Sequence, residues 1–192
     1  MSRVIAFDSR QPDAVVYPGL KWESPFIGNS STFDPDGYFN LEARTTFHFT
    51  ADGITPAMAM QMPEGQGSRY QTTYKDSDGN YLDGSKTYKL TMPPKVPVAL
   101  FWSVTLYDSW TRSELQSQPF PSISSQKTPA PTANADGSID IYFSSTKPKD
   151  VAEQNWIRTL PDQGFFAYIR YYGPLNAFND KSWVPNDVER VE

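Results

Sequence analysis

The chain has 192 residues, no cysteine and a formal charge of −5 at pH 7. Absence of cysteine excludes disulfides, thiolate nucleophiles and cysteine-ligated metals. The acidic balance, with no Lys/Arg run, argues against a nucleic-acid or anionic-membrane surface, and neither is expected as a partner.

The length suits one domain with a sizeable core. Aromatics at 15%, with 17 Pro and 11 Gly, point to short strands between many turns and so to an all-β class with minor helices. Residues Met1 to Asp8 lack the apolar stretch of a signal peptide, and no later window is long and apolar enough to span a bilayer. The expectation is a soluble chain, with periplasm and cytoplasm both open.

Residues 1–38 read as an irregular N-terminal segment in which Pro12, Pro18 and Pro25 break any element. Residues 39–192 read as the domain. Asn40 to Thr50 supports two readings. Strand alternation sets Asn40, Glu42, Arg44, Thr46, His48 and Thr50 opposite Leu41, Ala43, Thr45, Phe47 and Phe49, while a helix brings Arg44 beside His48 at i,i+4. Strands are expected at Arg69 to Lys75, Thr87 to Met92, Val98 to Tyr107, Ser138 to Phe143 and Phe165 to Tyr172. In the third of these, Val98, Leu100, Trp102, Val104 and Leu106 share one face and Ala99, Phe101, Ser103, Thr105 and Tyr107 the other, so a second layer must cover it.

Asp-Gly steps at 36–37, 52–53, 78–79, 83–84 and 136–137 are tight-turn signals that imply antiparallel pairing. Gln116 to Gly137, rich in Pro, Ser, Gln and Ala, reads as a long surface loop, and Lys149 to Ile157 as a short helix. In the last strand Arg170 shares a face with Phe166, Tyr168 and Tyr172, where its guanidinium can stack on the rings. The sum is an antiparallel β-sandwich of jelly-roll type.

His48 is the sole histidine, and no serine lies in a Gly-x-Ser-x-Gly elbow, so a Ser-His-acid triad is not expected. Gly79 to Thr87 departs from a phosphate-binding loop because Ser85 separates Gly84 from Lys86, and a hairpin with two turns is the better reading. Asp76, Asp78, Asn80 and Asp83 are spaced like calcium ligands, but Tyr81 stands where a calcium loop needs glycine, so ordinary Asx turns are expected. Glu42, Glu64 and Glu114 carry no spacing that marks a paired acid and base. Trp22, Trp110, Trp156 and Trp183 either close the core or, if clustered on the surface, stack on sugar rings or an apolar ligand. Asn29-Ser30-Ser31 is a glycosylation sequon.

An ordered series of motifs carries a family resemblance. It comprises Tyr81-Leu82-Asp83-Gly84-Ser85-Lys86-Thr87-Tyr88, Pro93 to Pro97 leading into Phe101 to Asp108, Asn134-Ala135-Asp136-Gly137-Ser138, Asn155-Trp156-Ile157, Phe165 to Pro174, and Ser182-Trp183. From about Phe39 to Val188 the chain resembles the C-terminal domain of a bacterial family catalogued as domain of unknown function twelve-fourteen. That domain usually follows a partner domain, number twelve-fifty-four. The resemblance implies a jelly-roll-like sandwich and favours helix at residues 40–50. It implies no activity. It also makes an upstream domain, or a second copy of this chain, the expected protein partner.

The leading expectation is a module that binds a small molecule, a glycan or a protein without chemistry of its own and without a cofactor or metal. The alternative is a hydrolase or lyase acting on a small substrate through Glu42, Arg44 and His48, placed near Arg170 and Tyr172, with arginine holding an anion. Trp102, Tyr107, Asn155 and Trp156, all within the motifs, complete the binding candidates, and no catalytic residue is assigned.

Overall fold

The computed structural model describes residues 12–26, 28, 30–34, 37–50, 56–60 and 62–191. Among these residues eight strands form two four-stranded sheets: β1 (Ser68–Thr73), β2 (Thr87–Met92), β3 (Val98–Asp108), β4 (Ser122–Ser124), β5 (Ile139–Ser144), β6 (Trp156–Arg158), β7 (Phe165–Pro174) and β8 (Val188–Val191). One sheet runs β1-β7-β3-β4 and the other β6-β5-β2-β8. All pairs are antiparallel except β5 with β6, which run parallel. The helices are short: α1 (Leu41–Thr50), α2 (Pro56–Ala59) and α3 (Asn176–Asn179). The chain is a mostly β, two-sheet sandwich.

Period-two patterning builds the core. Phe165, Ala167, Ile169 and Tyr171 of β7 face Trp102, Val104 and Leu106 of β3 side by side, and both rows pack on Tyr88, Leu90 and Met92 of β2 and Ile141 and Phe143 of β5. Each fully buried side chain of this size contributes about 1.5–3 kcal/mol through water exclusion. The N-terminal residues join the same core, since Trp22 is fully buried and donates its indole N–H to the Asn186 carbonyl at 2.9 Å. Glu23 exchanges two backbone hydrogen bonds with Thr72 at 2.8 and 2.9 Å, extending the first sheet beyond β1.

Residues 41–50 are helical because Asn40 caps them. Its side-chain oxygen accepts the Ala43 N–H at 2.9 Å, a standard helix start. Ala43 and Phe47, four residues apart, then bury together on Phe26, Phe33 and Ala59. A strand would have put Phe47 on the same face as Leu41, which is 65% exposed.

Other elements differ from the sequence reading. The Gln116–Gly137 loop contains β4, whose Ile123 is fully buried against β3, too short a pattern to register as a strand. The expected helix at 149–157 is one 3-10 turn, Glu153–Asn155, followed by β6. The Trp156 indole N–H reaches the Ser144 carbonyl at 3.1 Å and draws this segment onto β5 as a strand. β8 was not anticipated. Leu100 is 66% exposed rather than inward, because the β3–β7 register shifts between Val98 and Phe101.

The Asp78-Gly79 turn closes a small hairpin that bridges Lys75 to Tyr81. The Asp83-Gly84 turn instead docks on Gly164, and Gly84 N–H donates to the Gln163 carbonyl at 2.8 Å. Asp36, Asp52-Gly53 and the sequon residue Asn29 lie outside the described residues.

Gly84 has no space for a side chain: a Cβ there would sit 2.0 Å from the Leu160 carbonyl oxygen. Gly84→Ala should therefore destabilise the fold by about 3 kcal/mol, the upper end of overpacking costs, measured as a drop in the urea midpoint.

Candidate functional site

The outer face of the first sheet carries a ladder of rings and guanidinium groups. Arg170 stands on β7 between Ser103 of β3 and Tyr70 of β1 in register. Its guanidinium lies 4.9 Å from the Tyr168 ring centre and 5.5 Å from that of Tyr107. It donates to the Thr105 hydroxyl at 2.9 Å and to the Tyr107 hydroxyl. Burial works against its charge, yet the phenol oxygens of Tyr107, Tyr168 and Tyr172 offset this and hold its pKa above the usual value. Burial pushes the Tyr168 hydroxyl far up, so this phenol stays protonated at neutral pH.

The ladder continues along the sheet. Tyr107 stacks on Phe166 at 5.3 Å, and Phe166 stacks on Tyr74 at 4.9 Å. The Arg112 guanidinium lies 5.4 Å from the Tyr74 ring and 5.1 Å from the Phe166 ring. At the other end Phe101 stacks on Tyr172 at 4.1 Å.

An open slot adjoins Tyr74. It has a volume of about 290 Å³ and is lined by Tyr74, Tyr81, Leu82, Ser109, Trp110, Gly164 and Phe165. Leu82 and Phe165 are buried, whereas Trp110 is 65% exposed and Tyr81 48% exposed. The Asp108 carboxylate positions Trp110 by accepting the N–H groups of Trp110 and Thr111, each at 2.7 Å, which folds the end of β3 into an Asx turn. Lys75 Nζ sits 5.0 Å over the Tyr81 ring. A Cβ on Gly164 would meet the Ser109 hydroxyl at 2.7 Å, so glycine keeps room for that hydroxyl at the slot.

The sequence-predicted residues fall into separate places. Glu42 and His48 are exposed on α1, and the Arg44 guanidinium lies 5.8 Å from the Phe33 ring centre. Among the described residues no hydrogen bond reaches the His48 imidazole. Of the three, Arg44 reaches the Phe26–Phe33–Phe47 cluster; Tyr70 links that cluster to the ladder through its 5.7 Å edge contact with Tyr168. Arg170 and Tyr172 share the outer face of β7, and the β3–β7 pairing brings Tyr107 to the Arg170 guanidinium.

Trp102 is buried between the sheets and Trp156 against Ser144, so neither ring offers a face to a ligand. Asn155 braces the long loop: its Oδ1 accepts the Thr132 N–H at 2.7 Å, and its Nδ2 donates to the carbonyls of Thr132 at 2.9 Å and Asp140 at 2.7 Å. Of the four tryptophans weighed, Trp22, Trp156 and Trp183 close the core and Trp110 faces outward.

The calcium-like spacing resolves into local caps. Asp76 Oδ1 accepts the Asn80 N–H at 2.8 Å, and Asp83 Oδ1 accepts the N–H and hydroxyl of Ser85 at 3.0 and 2.7 Å. Those Ser85 hydrogen bonds hold the Asp83 carboxyl below the usual range. The sequence reading did not name Tyr74, Tyr81, Ser109 or Gly164 as binding candidates; the signal available was Trp110 directly after the Asp108-Ser109 strand end.

Fold and surface thus define a two-sheet β-sandwich with one buried arginine–aromatic face and an aromatic-walled slot. The chain belongs to the family described as protein of unknown function, DUF1214, whose model matches residues 67–176, more than half of its length. It is similar to the VPA0106 protein from Vibrio parahaemolyticus, with a TM-score of 0.55 and 24% identity over 83% of this chain and 37% of that one. An uncharacterised protein from Burkholderia cenocepacia is similar with a TM-score of 0.46 and 17% identity, over 99% of this chain and 39% of that one. The chain spans less than half the length of either protein. No curated protein matches it.

Tyr107→Phe removes one acceptor from the Arg170 guanidinium while keeping the ring. The expected loss is about 1.5–3 kcal/mol, as for hydrogen bonds to charged groups, read from urea denaturation.

Proposed function

We propose that this chain is a binding module whose slot takes a small molecule with a flat apolar face. The observation that carries this reading is the pairing of two exposed aromatics, Trp110 and Tyr81, around a cavity of about 290 Å³ floored by Leu82 and Phe165. Exposed aromatic walls over an apolar floor bind by excluding water from a ring, with one polar group, here Ser109, to orient it. The volume is near the lower limit of small-molecule sites, which suits one or two rings rather than an extended ligand. The near absence of polar groups in the lining favours an aromatic ring over a sugar, whose hydroxyls would be left without partners.

Calorimetric titration with p-cresol and with methyl β-glucoside tests the assignment. The cresol should bind more tightly, and Trp110→Ala should weaken it by about tenfold, the worth of one aromatic contact. Equal binding of both compounds, or unchanged affinity in Trp110→Ala, would overturn it.

The expected protein partner, an upstream domain or a second copy, is also proposed. Its support is the exposed apolar run of Tyr38, Phe39 and Leu41 at the start of α1, together with the greater length of the similar Vibrio parahaemolyticus protein. Isolated as it stands, the chain should self-associate through this run. Sedimentation equilibrium should show a dimer that Phe39→Ser with Leu41→Ser reduces to monomer; a wild-type monomer at high concentration would argue against it.

A further inference from the structure

A cavity of about 190 Å³, distinct from the slot, lies between residues 13–26, Gly28, β1 and the end of α3. Its most telling wall is Arg69. This side chain is 9% exposed, and its one hydrogen bond among the described residues goes to the Ala59 carbonyl. No carboxylate among the described residues pairs with it, and burial alone drives its pKa below the usual value. A guanidinium stays charged in a protein and has five N–H donors, so a buried one without a counter-ion is costly.

A second feature points into the same cavity. Tyr171 donates its hydroxyl to Gln71 Oε1 at 2.9 Å, and Gln71 Nε2 donates to the Tyr17 hydroxyl at 2.9 Å. The chain of donors therefore ends on Tyr17, whose own O–H finds no acceptor among the described residues. Tyr17, Gln71 and Arg69 all line the cavity. Lys181 lines it as well and donates to the Val16 carbonyl at 2.9 Å. Among the described residues Asp13 is the one carboxylate in the lining, so two cations face one anion and their sum is a net positive charge of one.

We infer that this cavity is a binding site for a small monocarboxylate, held by the Arg69 guanidinium and the Tyr17 hydroxyl, with Lys181 at its rim. A carboxylate meets a guanidinium fork through two parallel hydrogen bonds, and a phenol supplies a third. The single net charge of the lining matches a monoanion, and Asp13 disfavours a dianion such as phosphate.

Calorimetric titration with sodium propionate and sodium phosphate at pH 7.5, with ionic strength held constant by sodium chloride, tests the site. Saturable propionate binding is expected, with phosphate weaker. Arg69→Gln should weaken propionate by about 10- to 150-fold, the value of charge-assisted hydrogen bonds. Lys181→Gln, at an exposed position, should weaken it by about threefold. Tyr17→Phe provides a second reading should Arg69→Gln fail to fold, and should weaken propionate by about fivefold. No saturable propionate binding, unchanged affinity in folded Arg69→Gln or in Tyr17→Phe, or tighter binding of phosphate than of propionate would each overturn the assignment.

Discussion

Strand β7 is the constraint on which the rest depends. It is hydrogen-bonded on both sides, to β1 and to β3, with its inner row buried and its outer row buried at Phe166 and half-buried beyond it. Phe165, Ala167, Ile169 and Tyr171 lie within the sandwich core, while Phe166, Tyr168, Arg170 and Tyr172 lie outward. A slip of one residue would exchange these rows and drive Arg170 between the sheets. That penalty sets the register of β1 and β3, and so places Tyr70 and Tyr107 beside Arg170.

The motifs that mark the family are mostly mechanical. Leu82 is buried, Asp83 caps Ser85, the Asp83 N–H donates to the Tyr88 hydroxyl at 3.1 Å, and Gly84 lies against the backbone of Leu160 and Gln163. Together they carry the chain from one sheet to the other between β1 and β2. Asn155 does the same for the loop before β5, and Trp183 donates its indole N–H to the Pro94 carbonyl at 3.1 Å. Polar groups within such crossings need partners, because a buried unsatisfied N–H or C=O costs about 1–3 kcal/mol. Specific side chains at these positions meet that accounting.

The arginines illustrate two treatments of one charge. Arg170 is surrounded by rings and hydroxyls that satisfy it within the sheet face. Arg69 has the Ala59 carbonyl and a cavity in front of it. A guanidinium enclosed by aromatic faces strengthens a fold, whereas one that looks into a cavity lined by further donors is arranged for something that arrives. The slot at the end of the ladder and the cavity beside Arg69 are therefore different in kind, one apolar and aromatic, the other polar and cationic.

The sequence by itself determined the longer strands, β1, β2, β3, β5 and β7, and their inward rows apart from Leu100. Alternation over β2, β3 and β7 is local and needs no partner to be read, and the shared face of Tyr168, Arg170 and Tyr172 follows from it. The motif series likewise determined the family. Tertiary structure decided the rest. β4, β6 and β8 are too short for a pattern and exist because a neighbouring strand takes their hydrogen bonds. Residues 41–50 are locally ambiguous, and the Asn40 cap and the Phe26–Phe33 surface settled them as helix. Both candidate sites are assembled from residues far apart in the chain, Tyr81 with Trp110 and Tyr17 with Arg69 and Lys181. Proximity of that kind comes from sheet pairing over long sequence separations, which no window of the chain contains.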